Sequence, residues 1–308
     1  MDSIKIFAPA SVANVACGFD IFGFAVDNPG DEIILTKNNT GKLNIVSIEG
    51  EGGRLPKDPT KNTATISIQK FLEKIGSEQG FDMQLKKLMP LGSGMGSSAA
   101  SAVAGVFAAN YLMGSPLPQK ELLPFAMEGE RIACGSAHAD NVGPSLMGGF
   151  IVVRSYDPLD IIQIKTPSEL YATIVHPQME VNTKDARNIL RREVSLKNTI
   201  TQMGNVAGLI AGLMTPDYDL ISRSLVDVII EPIRSILIPQ FDDVKQAAID
   251  NGALGCSISG SGPAMFALSK DLDTAHKVGE AMGKGFAKVN IESTCYVSTI
   301  NQNGPIIL

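Results

Sequence analysis

The segment from Pro90 to Ala100 reads Pro-Leu-Gly-Ser-Gly-Met-Gly-Ser-Ser-Ala-Ala and leads into a run of small residues that ends near Met113. Glycine at every second position lets consecutive peptide N–H groups turn to one side, because no Cβ blocks the unusual backbone angles. Such a nest of N–H groups before a helix N-terminus binds phosphate through partial positive charge. The segment therefore predicts a phosphate-binding loop, with a plain strand-to-helix turn as the alternative.

The glycine spacing separates this loop from two common nucleotide motifs. No Gly-Lys-Ser/Thr follows the glycines, as a P-loop requires. The spacing G-x-G-x-G, without an acidic strand end about 20 residues later, also departs from a dinucleotide fingerprint. Phosphate binding here would depend on peptide N–H groups and not on a lysine.

Charge and composition narrow the class of ligand. The chain has 308 residues, 44% of them hydrophobic, and a formal net charge of −6. An acidic chain has no basic field for a nucleic acid or an anionic membrane, so neither is expected as a partner. An anionic small molecule would be held by local groups, namely peptide N–H groups, helix ends and a few Arg or Lys side chains.

The termini and the cysteines favour a cytoplasmic protein. Residues 1–7 show no basic segment followed by a long apolar run, and no stretch is long enough to span a membrane. Cys17, Cys134, Cys256 and Cys295 lie far apart without C-x-x-C spacing, which predicts free thiols.

Strand and helix patterns are mixed without strict alternation, which predicts an α+β fold. The predicted strands are 4–7, 33–36, 43–48, 82–88, 150–154, 171–176 and 293–300, with two more flanking residues 257–267. The predicted helices are 63–75, 98–113, 119–133, 184–194, 197–213, 232–237 and 272–285, and residues 135–149 are expected to form a loop. A loosening of the pattern near residues 157–167 predicts two domains, 1–160 and 161–308.

Two further motifs accompany the glycine-rich loop in the same order as in a known family. Ala8-Pro9-Ala10-Ser11-Val12-Ala13-Asn14 with Gly18-Phe19-Asp20 precedes it, and Gly255-Cys256-Ser257-Ile258-Ser259-Gly260-Ser261-Gly262-Pro263 follows it. Together the three motifs resemble those of the GHMP kinases. The resemblance implies ATP and Mg²⁺ as cofactors, a ribosomal S5 domain 2-like N-terminal domain and a ferredoxin-like C-terminal domain, with the active site between them.

The resemblance also implies which residues contact the nucleotide, with Asn62 and residues 87–91 at the adenine, and which residues shape the cleft. The expected ATP-binding residues are Asn62, Lys87, Pro90, Leu91, Gly92, Ser93, Gly94, Met95, Gly96, Ser97, Ser98, Ala99 and Ala100. The expected cleft loop consists of Ser259, Gly260, Ser261 and Gly262.

Ser98 and Glu130 are the positions that the resemblance implies for the metal. Mg²⁺ prefers oxygen ligands and keeps several waters, so one hydroxyl and one carboxylate suffice. Ser97 is an alternative to Ser98, and a solvated surface carboxylate is the alternative interpretation of Glu130.

The segment Gly135–Ser145 places polar side chains of three types within four positions. Phosphoryl transfer depends mainly on orientation and charge neutralisation, so a strong base is dispensable. We expect Asn141 and Asn14 to orient the acceptor hydroxyl, with Asp140 in reserve as proton acceptor. His138 is expected to contact the substrate.

The N-terminal motif resembles the branch of the family that phosphorylates the hydroxyl of L-homoserine, although Val15-Ala16-Cys17 departs from the usual Leu-Gly-Pro. An amino acid needs a cation for its carboxylate and an anion for its ammonium. Arg187 and Arg234 match the family's carboxylate-binding positions, Asp20 supplies the anion, and Thr183 would cap a helix and face the cleft. A surface charge is the alternative interpretation of Arg187.

Two other functions stay open at this point. The chain could phosphorylate another small alcohol, such as an isoprenoid precursor or a sugar, or it could be a catalytically silent sensor of a ligand. The presence of Ser98, Glu130 and Asn141 favours an active enzyme. The resemblance is also compatible with a homodimer.

Overall fold

The structure, a computed structural model, describes all 308 residues except the side chains of residues 132–134, so that Cys134 lies outside the described side chains. The first part of the chain contains β1 (Ser3–Ala13), β2 (Phe22–Asn38), β3 (Leu43–Glu49), α1 (Thr63–Ile75), β4 (Gly80–Lys86), α2 (Ser97–Leu112), α3 (Leu123–Cys134), α4 (Ala139–Met147), β5 (Phe150–Tyr156) and β6 (Leu159–Ile164). The second part contains β7 (Tyr171–Pro177), α5 (Thr183–Asn188), α6 (Leu196–Met214), α7 (Tyr218–Ser224), α8 (Glu231–Arg234), α9 (Phe241–Asp250), β8 (Gly255–Ile258), β9 (Met265–Ser269), α10 (Leu272–Ala287), β10 (Ser293–Thr299) and β11 (Ile306–Ile307). Short 3₁₀ turns at Gln119–Leu122 and Ser235–Leu237 precede α3 and follow α8.

A seven-stranded sheet forms the first unit, in the order β11-β1-β2-β4-β3, with β5 paired to the first part of β2 and β6 paired to β5. Only β3 and β4 run parallel among these pairs. Alternation along β2 buries Ile33 and Leu35 on the face that packs against helices. Asp31 shares this buried face, although it is charged.

Helix α2 lies at the centre of the first unit. It packs against β1 and β2 on one side and against α1 and α3 on the other. The small residues of α2 allow it to pack closely against α1, since a Cβ on Gly105 would lie 2.8 Å from the carbonyl oxygen of Ala64 in α1. The N-terminus of α2 is thereby held at a fixed position above the sheet.

The second unit is a four-stranded antiparallel sheet in the order β10-β7-β9-β8. With its strands numbered along the chain, this order is 4-1-3-2, and α10 and α9 cover one face. The predicted ferredoxin-like C-terminal domain is therefore confirmed. The two-domain α+β architecture agrees with the prediction.

The two units are joined by more than the linker between them. Strand β11, at the end of the chain, pairs with β1, and a bridge joins Val26 to Ile300. The predicted division between residues 160 and 161 falls inside β6, whose pairing with β5 places it in the first sheet. We propose that the division lies after Ile164.

Several local predictions were wrong. Residues 135–149, expected as a loop, contain α4, which packs against β1, β2 and α2. Helix α5 ends at Asn188 and not at residue 194, and helices α7 and α9 were not predicted. Among the helices of the described residues, none is both long and apolar enough to cross a membrane.

Candidate active site

A cavity of about 470 Å³ opens where the three sequence motifs meet. Most of the predicted site residues line it. They are Asn14, Asp20, Asn62, Lys87, Leu91, Gly92, Ser93, Gly94, Gly96, Ser97, Ser98, Glu130, His138, Asp140, Asn141, Thr183, Arg187, Arg234, Gly260 and Ser261. Six predicted positions are not part of the lining, namely Pro90, Met95, Ala99, Ala100, Ser259 and Gly262.

The glycine-rich loop has the backbone that its sequence predicted. Gly92, Gly94 and Gly96 have φ angles of 62°, 79° and 68°, which is the left-handed region that favours glycine. Gly96 is the N-cap of α2 and offers no side chain to the first N–H groups of that helix. The loop and the helix start therefore present peptide N–H groups that an anion can bind.

Contacts with the other two motifs fix the position of this loop. Ser259 Oγ donates to the carbonyl oxygen of Gly94 at 2.7 Å, and Ser11 N donates to the carbonyl oxygen of Met95 at 3.1 Å. A Cβ on Gly94 would lie 2.5 Å from the carbonyl oxygen of Ser259. Ser259 and Met95 thus act behind the cavity wall, which explains why they do not line it.

Ser98 and Glu130 lie on the cavity at the start of α2 and in α3. Glu130 is 4% exposed, so the alternative of a solvated surface carboxylate is wrong. The hydroxyl of the neighbouring Ser97 points into the protein and donates to Asp31 Oδ2 at 3.1 Å. This contact favours Ser98 over Ser97 as a metal ligand.

Lys87 and Asn62, both expected at the adenine, use their side chains for the fold. The Lys87 ammonium forms an ion pair with Asp31, and both side chains are buried. Asn62 is the N-cap of α1, where its Oδ1 accepts from Ala64 N at 3.1 Å. Both residues line the cavity, and their contact with adenine stays a prediction.

The charged end of the cavity contains an acidic and a basic side chain that face each other. Arg187 Nη2 and Nη1 donate to Asp20 Oδ1 and Oδ2 at 2.7 and 3.0 Å. This bond to Asp20 is the main reason why the pKa of Arg187 is raised. The interpretation of Arg187 as a plain surface charge is wrong, because the pair lies on the cavity wall.

Arg234 is the second cation at this end, and it is 4% exposed. Its Nε and Nη1 donate to the carbonyl oxygens of Ala186 and Gly260 at 3.0 and 3.1 Å. Burial, followed by the charge of Arg187, lowers its pKa to about 10, so it stays charged at neutral pH. Arg234 and Arg187 flank the ring of Phe19 at 4.8 and 5.3 Å from its centroid.

The loop of residues 14–20 carries Asn14 and Asp20 into the cavity through an unusual backbone. Asn14, Val15 and Ala16 have positive φ angles in succession. Asn14 Nδ2 donates to Gly260 O at 2.7 Å, and its Oδ1 accepts from Asp20 N at 3.0 Å. These bonds leave one N–H and one lone pair of the Asn14 amide for a ligand.

His138, Asp140 and Asn141 lie at the start of α4 and face the same cavity. Burial lowers the pKa of His138, so its imidazole is neutral at pH 7, and Ser136 Oγ lies 2.7 Å from its Nε2. Asp140 is 1% exposed, and burial, followed by the negative charge of Asp20, raises its pKa to about 7. Asn141 Oδ1 accepts from Ser11 Oγ at 3.2 Å.

Thr183 lies at the cavity but does not cap α5 as predicted. The N-cap is Asn182, whose Oδ1 accepts from Lys184 N at 2.9 Å. The hydroxyl of Thr183 lies 3.3 Å from that of Ser261 in the predicted cleft loop. Thr183 therefore contacts the predicted cleft loop within the second unit.

Sequence reasoning did not single out Phe19 and Asp31. Phe19 lies in the recognised N-terminal motif, but its contacts with Arg187 and Arg234 could not be predicted from the local sequence, because both arginines lie in later helices. Asp31 did have a signal, because the period-2 pattern places it on the same face as the buried Ile33 and Leu35. A charge on a buried face needs a partner, and Lys87 supplies it.

A glycine-rich loop before a helix N-terminus, next to a hydroxyl, a carboxylate and a pair of opposite charges, is the arrangement expected of a small-molecule phosphotransferase. Comparison with known proteins agrees with this class. The family model described as "GHMP kinases N terminal domain" matches residues 62–149, and the one described as "GHMP kinases C terminal" matches residues 209–288.

Full-length relatives also indicate the GHMP kinase family. A homoserine kinase of Chlorobium phaeobacteroides is 52% identical over 100% of this chain and 100% of its own length. The crystal structure of a homoserine kinase from Cytophaga hutchinsonii shares 61% identity and a TM-score of 0.99, over 100% of this chain and 98% of that one. A mevalonate kinase of L. major shares the fold at 17% identity, with a TM-score of 0.71 over 96% of both chains. The chain belongs to the GHMP kinase family, and the sequence-based assignment to it is confirmed.

Proposed function

We propose that this protein transfers the γ-phosphoryl group of ATP to the side-chain hydroxyl of L-homoserine. The hydroxyl oxygen forms a bond to phosphorus while the bond to the β,γ-bridging oxygen breaks. The products are O-phospho-L-homoserine, ADP and one proton. Full-length relatives with the name homoserine kinase support this proposal.

The observation that carries the proposal is the Asp20–Arg187 pair in the same cavity as the phosphate-binding loop. An amino acid is a zwitterion, so its ammonium can bind Asp20 while its carboxylate binds Arg187. When the substrate binds between Asp20 and Arg187, each side chain exchanges its partner in the protein for the opposite charge of the substrate. Arg234, buried and charged beside Arg187, adds a second cation for the carboxylate.

The donor atoms at Ser98 and Glu130 fit Mg²⁺. Both residues face the cavity and offer oxygen, which is the ligand type that Mg²⁺ prefers. No group of three or more His, Cys, Asp and Glu side chains forms a metal site among the described residues. Mg²⁺ would neutralise charge on the phosphates, with waters and phosphate oxygens as its other ligands.

The acceptor hydroxyl would be oriented by Asn141 and Asn14. The bond from Ser11 to Asn141 Oδ1 fixes that amide and leaves its Nδ2 as a donor. Asp140, with a pKa of about 7, is partly ionised near neutral pH and can take the proton that leaves the hydroxyl. His138 would contact the substrate as a neutral imidazole.

The same proposal includes a cytoplasmic location and the formation of a homodimer. The free thiols of Cys17, Cys256 and Cys295 support the location, because a reducing compartment keeps thiols unpaired. An apolar stripe on α6 supports self-association, since Leu196, Ile200 and Met203 are 76%, 61% and 65% exposed.

The test measures ADP release in a coupled assay with L-homoserine, mevalonate and galactose as acceptors. L-Homoserine should give the highest kcat/KM, and the phosphorylated product should be identified by mass. Homoserine without its carboxylate serves as a matched control, because it keeps the hydroxyl and the ammonium. Turnover of another alcohol without turnover of L-homoserine would displace the proposal, and binding of L-homoserine without ADP release would indicate a sensor.

A further inference from the structure

Asp31 in β2 and Lys87 after β4 form an ion pair directly behind the phosphate-binding loop. Their side chains are 0% and 2% exposed. A buried ion pair is weak as a source of stability, because removing two charges from water offsets most of their attraction. The burial of this ion pair behind the loop therefore indicates a role other than stabilisation of the fold.

The carboxylate of Asp31 is bonded to both ends of the glycine-rich loop. At the start of the loop, its Oδ1 accepts from Leu88 N at 3.0 Å and from Met89 N at 3.3 Å. At the end, its Oδ2 accepts from Ser97 Oγ at 3.1 Å. One side chain thus joins the two ends of residues 88–97.

The ammonium of Lys87 completes the same connection. It donates to the carbonyl oxygen of Ser97 and to Ser101 Oγ, each at 2.8 Å. Ser101 Oγ in turn lies 3.2 Å from Asp31 Oδ2. With its bond to Asp31, the ammonium has three partners and uses all three of its N–H groups.

We propose that Asp31 and Lys87 are positioning residues, which hold the phosphate-binding loop and the start of α2 in the conformation that binds phosphate. Lys87 acts from behind the loop, with its charge compensated by Asp31. The peptide N–H groups in front bind the nucleotide. This inference depends on one part of the proposed function only, namely that the loop binds the phosphates of a nucleotide.

The experiment compares the affinities of ADP and adenosine by titration calorimetry, in the full-length protein. The variant Asp31→Asn/Lys87→Met removes both charges together, so that no unpaired charge stays buried. The matched control Lys5→Met/Glu32→Gln makes the same chemical change in a partly exposed ion pair joined at 3.0 Å, between Lys5 on β1 and Glu32, the residue after Asp31 on β2.

We expect the Kd of ADP to rise about tenfold in the Asp31→Asn/Lys87→Met variant, which is about 1.4 kcal/mol. The Kd of adenosine should stay within about twofold, because methionine keeps an unbranched apolar side chain at the cavity wall and removes only the ammonium that contacts Ser97 and Ser101. The control should match the wild type. An unchanged Kd of ADP would overturn the proposal. Equal weakening of ADP and adenosine would also overturn it, because it would indicate a general loss of structure.

A second variant keeps the proposal testable if the double replacement does not fold. Ser101→Ala removes one bond to Lys87 and one to Asp31 while it leaves both charges in place. It should raise the Kd of ADP about threefold and leave the Kd of adenosine unchanged. An unchanged ADP affinity in Ser101→Ala would refute the positioning role of Asp31 and Lys87. Because these assays need no homoserine, their result does not depend on the identity of the acceptor.

Discussion

Replacement of Arg187 by alanine tests whether the charged end of the cavity binds the substrate carboxylate. In the structure, Arg187 donates two hydrogen bonds to Asp20 and is 40% exposed at its side chain. With substrate bound, the same guanidinium would face a carboxylate. We expect the variant to lose this bond and to keep its fold.

The magnitude follows from the exposure of the pair. A hydrogen bond to a charged group contributes about 1.5–3 kcal/mol, and partial exposure favours the lower half of this range. A loss of about 2 kcal/mol corresponds to a decrease of about 30-fold in kcat/KM. We expect most of it as a higher KM for L-homoserine, since the carboxylate is remote from the reacting hydroxyl.

The assay is coupled ADP release with each substrate varied in turn. The KM of ATP should change by less than about twofold, because the contacts of Arg187 are with Asp20 and Phe19 at the charged end of the cavity. Arg191→Ala, a neighbouring exposed arginine, is the matched control and should behave as the wild type. A parallel rise of both KM values would refute the reasoning, because it would assign Arg187 to the fold.

Three further predictions concern the metal, the pH dependence and the loop. Glu130→Ala should lower kcat at least about 100-fold in the ADP-release assay, since it removes the carboxylate proposed for Mg²⁺, and a kcat within tenfold of wild type would contradict that role. Asp140→Asn should raise the Tm at pH 8 but not at pH 4. Burial raises the pKa of Asp140 from 3.8 to about 7, so the wild type loses stability as the pH rises between these values, and the variant does not. An equal Tm difference at both pH values would contradict this. Gly94→Ala should abolish ADP binding in calorimetry, because its Cβ would lie 2.5 Å from Ser259 O, whereas Gly53→Ala has the same φ of 79° with nothing within 4 Å and should bind ADP normally.

The parts of the site that the sequence predicted are those built from neighbouring residues. Alternating glycines specify the left-handed backbone of the loop, and the small residues after them specify a helix that can approach a sheet. Both features depend on local chemistry. The same holds for α1, which was predicted over residues 63–75 and is observed at Thr63–Ile75, with Gly76 after its end.

Helix α4 shows why other parts could not be predicted. Its sequence contains Gly143 and Pro144, which are poor in helices. Packing between the sheet and α2 compensates, since Val142 and Leu146 are fully buried there. Because tertiary contacts outweigh propensity, the local sequence predicted a loop and missed that Asp140 and Asn141 stand in a first helical turn.

The role of Lys87 shows the same limit for side chains. Lys87 lines the cavity together with the glycine-rich loop, but its ammonium binds Asp31, which is 56 residues away in sequence. The pattern of β2 could have identified Asp31 as a buried charge, yet it could not have identified the partner. Strand pairing between β2 and β4, which places Glu32 opposite Lys86, decides that partner.

If Asp20 and Arg187 bind the substrate as proposed, the pair also gives a physical basis for selectivity against uncharged alcohols. A sugar or other neutral alcohol offers no charge to either side chain, so it would bind beside an intact ion pair. A monoanion such as mevalonate could bind Arg187 only if it displaced Asp20 from the ion pair. The Asp20 carboxylate would then lack a cation while it lies close enough to Asp140 to raise the pKa of that group, which is unfavourable. A zwitterion satisfies both charges at once, and specificity of this kind arises because the wrong substrate leaves a protein charge unpaired.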